Sequence, residues 1–372
     1  MVVQRYEQTM SVSIPTKALL WGLAGIGAWT AVKAALAQKR KIDFSGKTVL
    51  ITGGSRGLGL ELARLLAEEG ANLAICARDA DELDRAETEL NEFGISVYTE
   101  VCDVTNKVQV EHFAENVRQA LGPVDVLINN AGIIIVTPYE HATEDDFRQA
   151  METHFWGSFY MINAVLPQML SQKEGAESRG KSMPGTSMPG TSMRGRIVNI
   201  TSIGGKLAVP HLLPYSTSKF AMVGYSEGLR AELLNKGIYV TTICPGLMRT
   251  GSPRNAIFKG QNEKEYAAFK ISDSIPFFTM DSVDAAREIV EACRYGEAER
   301  TITLSAKVGA AIQGVAPNLM AETMAIVNNM LPDPGGIGEQ RALGKDSETT
   351  LSESVLTTLT DQAAERNNEF DS

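Results

Sequence analysis

The sequence predicts an α/β fold: a single doubly wound parallel sheet, with an apolar helix before it and a helical extension after it. Three observations lead there. From residue 47 to about 244, short apolar runs alternate with amphipathic stretches, the pattern of repeated βα units. Runs such as 124–128 are apolar but for Asp125, as strands buried on both faces are. A glycine-rich turn stands where the first apolar run meets the first amphipathic stretch.

The elements follow in order. Residues 18–32 form an apolar run holding Trp21 and Trp29; Lys33 interrupts it, 34–37 continue it, and Lys39, Arg40 and Lys41 close it. A membrane span needs about 20 apolar residues, a length reached here with Lys33 snorkelling to the interface. Residues 1–41 are therefore expected to anchor the chain, spanning the membrane or lying in its plane. The basic cluster would place the following domain on the cytoplasmic side. Two other readings stand beside it. Ala35-Leu36-Ala37 has the form of a signal-peptide cleavage site, and a soluble helix packed on the domain would leave the protein cytoplasmic. Strands are expected at 48–51, 72–76, 96–101, 124–129, 196–201 and 238–244, and helices at 60–67, 80–93, 107–120, 145–170 and 215–235. Residues 171–195 break the rhythm: Ser182-Met183-Pro184-Gly185-Thr186 recurs at 187–191, and a third copy begins at Ser192. Repeated Pro and Gly cannot sustain a helix or a central strand, so a flexible surface insert away from the ligand side is expected. A helix at 281–295 and a strand at 301–304 complete a catalytic domain over 42–305. Residues 306–331 read as an apolar helical extension broken at Pro317, and 332–372, poor in apolar residues and acidic, as a disordered tail.

Composition excludes some functions. With 44% hydrophobic and 22% charged residues the chain can build a packed core. A net charge of -10 argues against a nucleic-acid surface. Cys76, Cys102, Cys244 and Cys293 form no CxxC pair, and no histidine lies at i, i+4 from a carboxylate in a metal-binding pattern, so no metal site is expected. The cysteines read as small buried hydrophobes in a reducing compartment.

The turn after the first strand reads Thr52-Gly53-Gly54-Ser55-Arg56-Gly57-Leu58-Gly59. Glycines there let backbone N–H groups approach a pyrophosphate at a helix N-terminus. The second strand ends in Ala77 and Arg78, where an acidic residue would bind a ribose 2′-hydroxyl. With Arg56, Arg78 suits a 2′-phosphate, which favours NADP over NAD. Asp103 and Val104 follow the third strand; Asn129, Asn130, Ala131 and Gly132 follow the fourth. Tyr215 and Lys219 share one helix face at i, i+4, so the ammonium is expected to lower the tyrosine pKa and make it a usable acid or base.

Together these motifs resemble the short-chain dehydrogenase/reductase family in its compact branch, over about residues 47–250. The matching elements are the Thr52–Gly59 turn, Asp103, Asn129 to Gly132, Ser202 thirteen residues before Tyr215, Lys219, and Pro245-Gly246 with Thr250. The resemblance implies a Rossmann-type domain. It implies that Tyr215 donates or accepts the substrate proton, Ser202 binds the substrate oxygen, and Lys219 also holds the nicotinamide ribose. Asn129, Ala131 and Gly132 would support the cofactor with the glycine turn, Asp103 and Val104 would lie at the adenine, and Pro245, Gly246 and Thr250 would flank the nicotinamide. The family usually carries Asn-x-x-Gly in the long helix; here His154-Phe155-Trp156-Gly157 stands there, and His154 is expected to replace the Asn in a water relay. The implied function is reversible hydride transfer between NADP(H) and a small-molecule carbonyl or alcohol, in a homo-oligomer. Leu207, Val209, Leu212, Leu213, Ile257 and Phe258 would line an apolar pocket for a lipid-like substrate. The alternatives are a non-catalytic NADP-binding regulatory module and an NAD-dependent alcohol dehydrogenase of the same fold.

Overall fold

The computed structural model describes residues 32, 34–172, 193–276, 279–354 and 357–370. The chain falls into two compact units, Met1–Lys41 and Ile42–Ser372. In the first, residues 34–40 are helical. The expected anchor at 18–37 falls almost wholly outside the described residues, as does the repeat at 182–192. No helix among the described residues is long and apolar enough to cross a membrane.

The second unit is built on seven parallel strands: β1 (Thr48–Thr52), β2 (Asn72–Ala77), β3 (Val97–Val101), β4 (Val126–Asn129), β6 (Gly195–Ile200), β7 (Ile238–Pro245) and β11 (Glu299–Ile302). Their order is β11-β7-β6-β4-β1-β2-β3. The chain runs outward from β1 to β3, then crosses back to β4 on the other side of β1, so the sheet changes winding direction between β1 and β4. Ligands in such sheets bind at the carboxyl ends of the strands beside that switch point.

Alternation along the strands sends side chains to both faces. Val49 and Ile51 of β1 pack under α1 (Gly57–Glu68), α2 (Ala80–Asn91) and α8 (Ser282–Arg294). Leu50 faces α3 (Lys107–Leu121) and α5 (Gly157–Ser171), whose Phe113, Met161 and Val165 are wholly buried. All four cysteines are free and buried. α6 (Leu213–Leu233) packs against β7 and carries Tyr215 and Lys219.

The long helix expected at 145–170 is divided. α4 (Glu144–Met151) passes into a π-helical turn, Glu152–Trp156, before α5 begins. A π turn fits one extra residue into the helix, and His154 lies within it. The strand expected at 301–304 ends at Ile302. Thr303 takes φ +78° and caps α9 (Leu304–Val315), its hydroxyl accepting from the Ala306 N–H at 3.2 Å. α10 (Pro317–Asn328) starts at the break set by Pro317.

Small sheets rim the carboxyl edge of the main one. β5 (Ile135–Val136) pairs with β9 (Ile257–Phe258), which pairs in turn with β12 (Ala342–Leu343), and β8 (Leu247–Arg249) pairs with β10 (Thr279–Asp281). β12 belongs to the segment expected to be disordered. That expectation fails for the described residues of 332–370. Arg341 joins Lys259 on the buried carboxylate of Asp146. α11 (Thr358–Arg366) packs on α7 (Asn262–Ser274) with the Lys270–Asp361 ion pair at 2.7 Å, and its buried Ala364 lies against Gly251. A composition argument counts apolar residues and misses this. The segment is held by hydrogen bonds and ion pairs to groups that the core displays.

One buried acid bears on that docking. Asp273 of α7 is buried with Oδ2 unpaired among the described residues. Burial pushes its pKa up to about 8, against the pull of Arg249 and a Thr360 hydrogen bond. A carboxyl raised in the folded state favours folding fully below its unfolded pKa of about 3.9, and that advantage is lost as pH rises toward 8. Asp273→Asn should therefore melt higher than the parent, by a margin that grows from pH 4 to pH 8 and then levels off. Melting curves across that range check it.

Candidate active site

The site is assembled at the switch point, on the turn from β1 into α1. Gly53 and Gly57 take φ of +64° and +57°, which favour glycine. A Cβ on Gly59 would collide with the Gly53 carbonyl. The turn is braced by Asn130, whose Nδ2 donates to the carbonyls of Thr52 and Gly53 at 3.1 and 2.9 Å. The Thr52 hydroxyl accepts from the N–H groups of Asn130 and Ala131. The brace is thus Asn130, which the sequence reading passed over. Asn129 points the other way into the sheet, its Nδ2 donating to Asn199 at 2.9 Å, and does not line the cleft.

A cleft of about 220 Å³ opens beside this turn. Gly53, Arg56, Gly57 and Leu58 of the turn line it together with Arg78, Ala131, Gly132, His154, Tyr215, Lys219 and Thr250. An adjoining hollow is lined by Asp103 and Val104, with Cys76 and Cys102. Ser55, Arg56 and Arg78 border a third opening with Glu82. Pro245 and Gly246 end β7; a Cβ on Gly246 would collide with Thr303. Most of the predicted residues thus line these openings, whereas Thr52, Gly59, Asn129, Ser202, Pro245 and Gly246 do not. The predicted apolar lining is different. Phe258 is wholly buried in a satellite core with Val136 and Tyr266, and Leu207 lies against Gly309 of α9. Ile133, Ile134, Ile200 and Met248 line the cleft instead.

The two arginines differ. Asp79, next to Arg78, spends its carboxylate capping α2, accepting from the Glu82 N–H at 2.9 Å. Arg78 has no ion-pair partner among the described residues. Arg56, expected as a free cation, is held by Glu82 at 2.5 Å and by Glu369 at 3.4 Å. Glu82 also accepts from the Ser55 hydroxyl. Asp103 accepts from the N–H and the hydroxyl of Thr105, both at 2.9 Å, which fixes the turn at the end of β3.

Lys219 is buried and Tyr215 half-buried in the lining of the cleft. The Lys219 ammonium donates to the Ile200 carbonyl at 3.0 Å and lies 5.4 Å from the Tyr215 ring centroid. Burial lowers the Lys219 pKa to about 7. Burial raises that of Tyr215, offset by a hydrogen bond with Ser202. The expected lowering of the tyrosine by the lysine is therefore not what this state shows: removal of water dominates both groups.

His154 also departs from expectation. Its Nε2 accepts from the Ile133 N–H at 3.1 Å. Its Nδ1 lies 2.7 Å from Ser218 Oγ, and that hydroxyl donates to the Tyr215 carbonyl at 2.7 Å. The Ser218 proton is thereby spent, so Nδ1 carries the ring proton and donates. Burial, followed by the Lys219 charge, pushes the His154 pKa well down and keeps the ring neutral. Both nitrogens are engaged and neither is left to hold a water. The ring instead ties the turn after β4 to the helix that carries Tyr215. Ser218, beside Lys219, was a missed member of the site. His154→Asn, which can still accept from Ile133, should keep most activity, whereas His154→Ala should lower kcat with KM little changed. Steady-state kinetics on both variants checks this.

The sequence comparisons agree with the geometry. The family model for short chain dehydrogenase matches residues 47–176 and 183–258, more than half of the chain. The chain belongs to the short-chain dehydrogenase family. A protein assigned as a ketoacyl reductase in Streptomyces coelicolor is 36% identical over 204 residues, 55% of this chain and 71% of the relative. Dehydrogenase/reductase SDR family member 7B of Danio rerio is 32% identical over 273 residues, 72% of this chain and 80% of that protein. The NADPH-bound structure of a short chain oxidoreductase from Pseudomonas aeruginosa aligns with a TM-score of 0.58 at 26% identity, over 70% of this chain and 96% of the other. The chain is thus an oxidoreductase of this family, on the sheet its members share.

Proposed function

We propose that this enzyme interconverts a carbonyl and an alcohol using NADP(H), with Tyr215 as the proton donor or acceptor. The carrying observation is that Tyr215, hydrogen-bonded to the buried Ser202, and the buried Lys219 line a cleft that opens on the glycine-rich turn. The turn fits a dinucleotide because its glycines keep side chains off the backbone where phosphates approach. The Gly57 and Leu58 backbone would hold the pyrophosphate, and the hollow at Asp103 and Val104 the adenine. The bound nicotinamide would supply the hydride. In reduction, the Tyr215 hydroxyl transfers its proton to the substrate oxygen as negative charge develops there. A tyrosine whose pKa is raised stays protonated at neutral pH and is ready to act as that acid. Ser202 orients the same oxygen. The buried Lys219 ammonium favours the phenolate that remains. His154 positions both walls.

NADP is favoured because Arg78 borders the ribose end unpaired and Asp79 is turned away into its cap; the NADPH-bound relative is in keeping with this. Ile133, Ile134 and Met248 beside the polar set suit an apolar substrate. Exposed Leu304, Val308, Val315, Leu319 and Ile326 on α9 and α10 suit work at a lipid surface.

Tyr215→Phe should lower kcat by about 10²- to 10⁴-fold while NADPH binding stays near that of the parent. A variant with parental turnover on an active carbonyl would reject the assignment. Arg78→Ala should weaken NADPH by about tenfold, the equivalent of roughly 1.4 kcal/mol, and leave NADH unchanged. Titration of both dinucleotides reads the difference.

A further inference from the structure

The residues after α11 reach the glycine-rich turn from the far end of the chain. The Gly57 N–H, at the start of α1, donates to the Asn367 carbonyl at 2.9 Å. Asn368 Nδ2 donates to the carbonyls of Ser55 and Glu82 at 2.9 and 3.2 Å. The Glu369 carboxylate pairs with Arg56 and lies so close over Gly57 that a Cβ there would sit 2.8 Å from its oxygen. On the opposite wall, Asn367 Nδ2 donates to the Thr250 carbonyl at 3.0 Å, and Asn255 Nδ2 donates to Glu369 at 2.6 Å. Glu369 is buried and lines the same cleft as Tyr215 and Lys219.

We propose that residues 367–370 form an internal strap that occupies the phosphate-binding turn, with the Glu369 carboxylate standing where a dinucleotide phosphate would, and that cofactor binding displaces it. The proposal rests on the dinucleotide reading above. Its logic is competition for the same donors. A glycine-rich helix start offers backbone N–H groups to an anion, and here one of them and the adjacent guanidinium are already taken by this chain's own carbonyl and carboxylate. The strap spans both walls, so a pyrophosphate and the strap cannot share the turn. It is built to release. α11 has its own moorings, the Lys270–Asp361 pair and the Arg366 contacts with Asp281 and Ser282, so the last residues can leave while the helix stays. Burial also raises the Glu369 pKa to about 7, against the pull of Arg56 and Asn255 and with the push of Glu82, which leaves its hold on Arg56 at partial strength near neutrality.

The test compares the full chain, a chain ending at Arg366, and full-length Glu369→Ala, each titrated with NADPH and with NADH. Removing the strap should tighten NADPH by about tenfold or more and should tighten NADH as well, because the strap meets the end that both dinucleotides share. Glu369→Ala, which keeps α11 and Asn367, should show a smaller gain in the same direction. In the full chain, NADPH should speed amide exchange over 367–370 and leave α11 unchanged. Equal or weaker binding after truncation, with Glu369→Ala also unchanged, would overturn the strap while the cofactor reading stands. Slower exchange of the tail on NADPH addition would mean that it closes over the cofactor, and would overturn it too. If no form binds either dinucleotide, both readings fall together.

Discussion

The structure depends on how closely two turns can approach at the point where the sheet reverses its winding. The turn after β1 must double back so that Gly53 and Gly59 meet, and the turn after β4 must clasp it from the side. No residue with a side chain fits at Gly59, because its Cβ would enter the Gly53 carbonyl. Asn130 then bonds the two carbonyls that this crowding leaves pointing outward. The result is a rigid floor whose remaining N–H groups face the cleft. Everything functional is referred to it: Tyr215 through His154 and the 132–133 turn, and the far wall through the tail.

A second theme is the cost of keeping ionisable groups dry. Lys219 and His154 are buried and Tyr215 half-buried, and for each the largest influence on its pKa is loss of water. Such groups persist only where their polar atoms are matched. Ile200, Ser202, Ile133 and Ser218 do that matching here. Near neutrality Tyr215 and His154 are then uncharged and Lys219, its pKa lowered to about 7, carries only part of a charge. Charge that develops on a substrate oxygen would then meet little competing charge. The same economy of partners marks the rim, where Arg56 is shared between two carboxylates.

Much of this was legible in the residues. The βα rhythm placed six of the seven strands of the main sheet near their observed positions, since strands buried on both faces leave unbroken apolar runs. The glycine spacing and the Tyr-x-x-x-Lys pair located the cleft, because those chemistries tolerate few substitutes. What escaped has a common cause. Asn130 and Asn129 are indistinguishable as letters, and only the twist at the end of β4 decides which one faces the turn. Phe258 looks like a pocket residue until Tyr266 and Phe269 pack over it. The acidic tail looks unstructured because its stabilisation comes from partners 85 to 305 residues away: Arg341 on Asp146, Arg366 on Glu61 and Asp281. No local pattern carries that information.

The π turn at 152–156 has a consequence for what lengths this region can tolerate. A single extra residue held in a helix rotates everything beyond it by about 100° relative to an uninterrupted α-helix. Here that offset lets α4 present Asp146 to Lys259 while α5 presents Met161 and Val165 to the sheet. The bulge therefore acts as a phase-setter between two faces that no single straight helix could serve. Losing one residue from it would leave composition and hydrophobicity almost unchanged yet put one of the two faces out of register. Point substitutions along this stretch can be absorbed one at a time. A change in its length by one cannot, and the spacing between Asp146 and His154 is in that sense as much a part of the site as the side chains themselves.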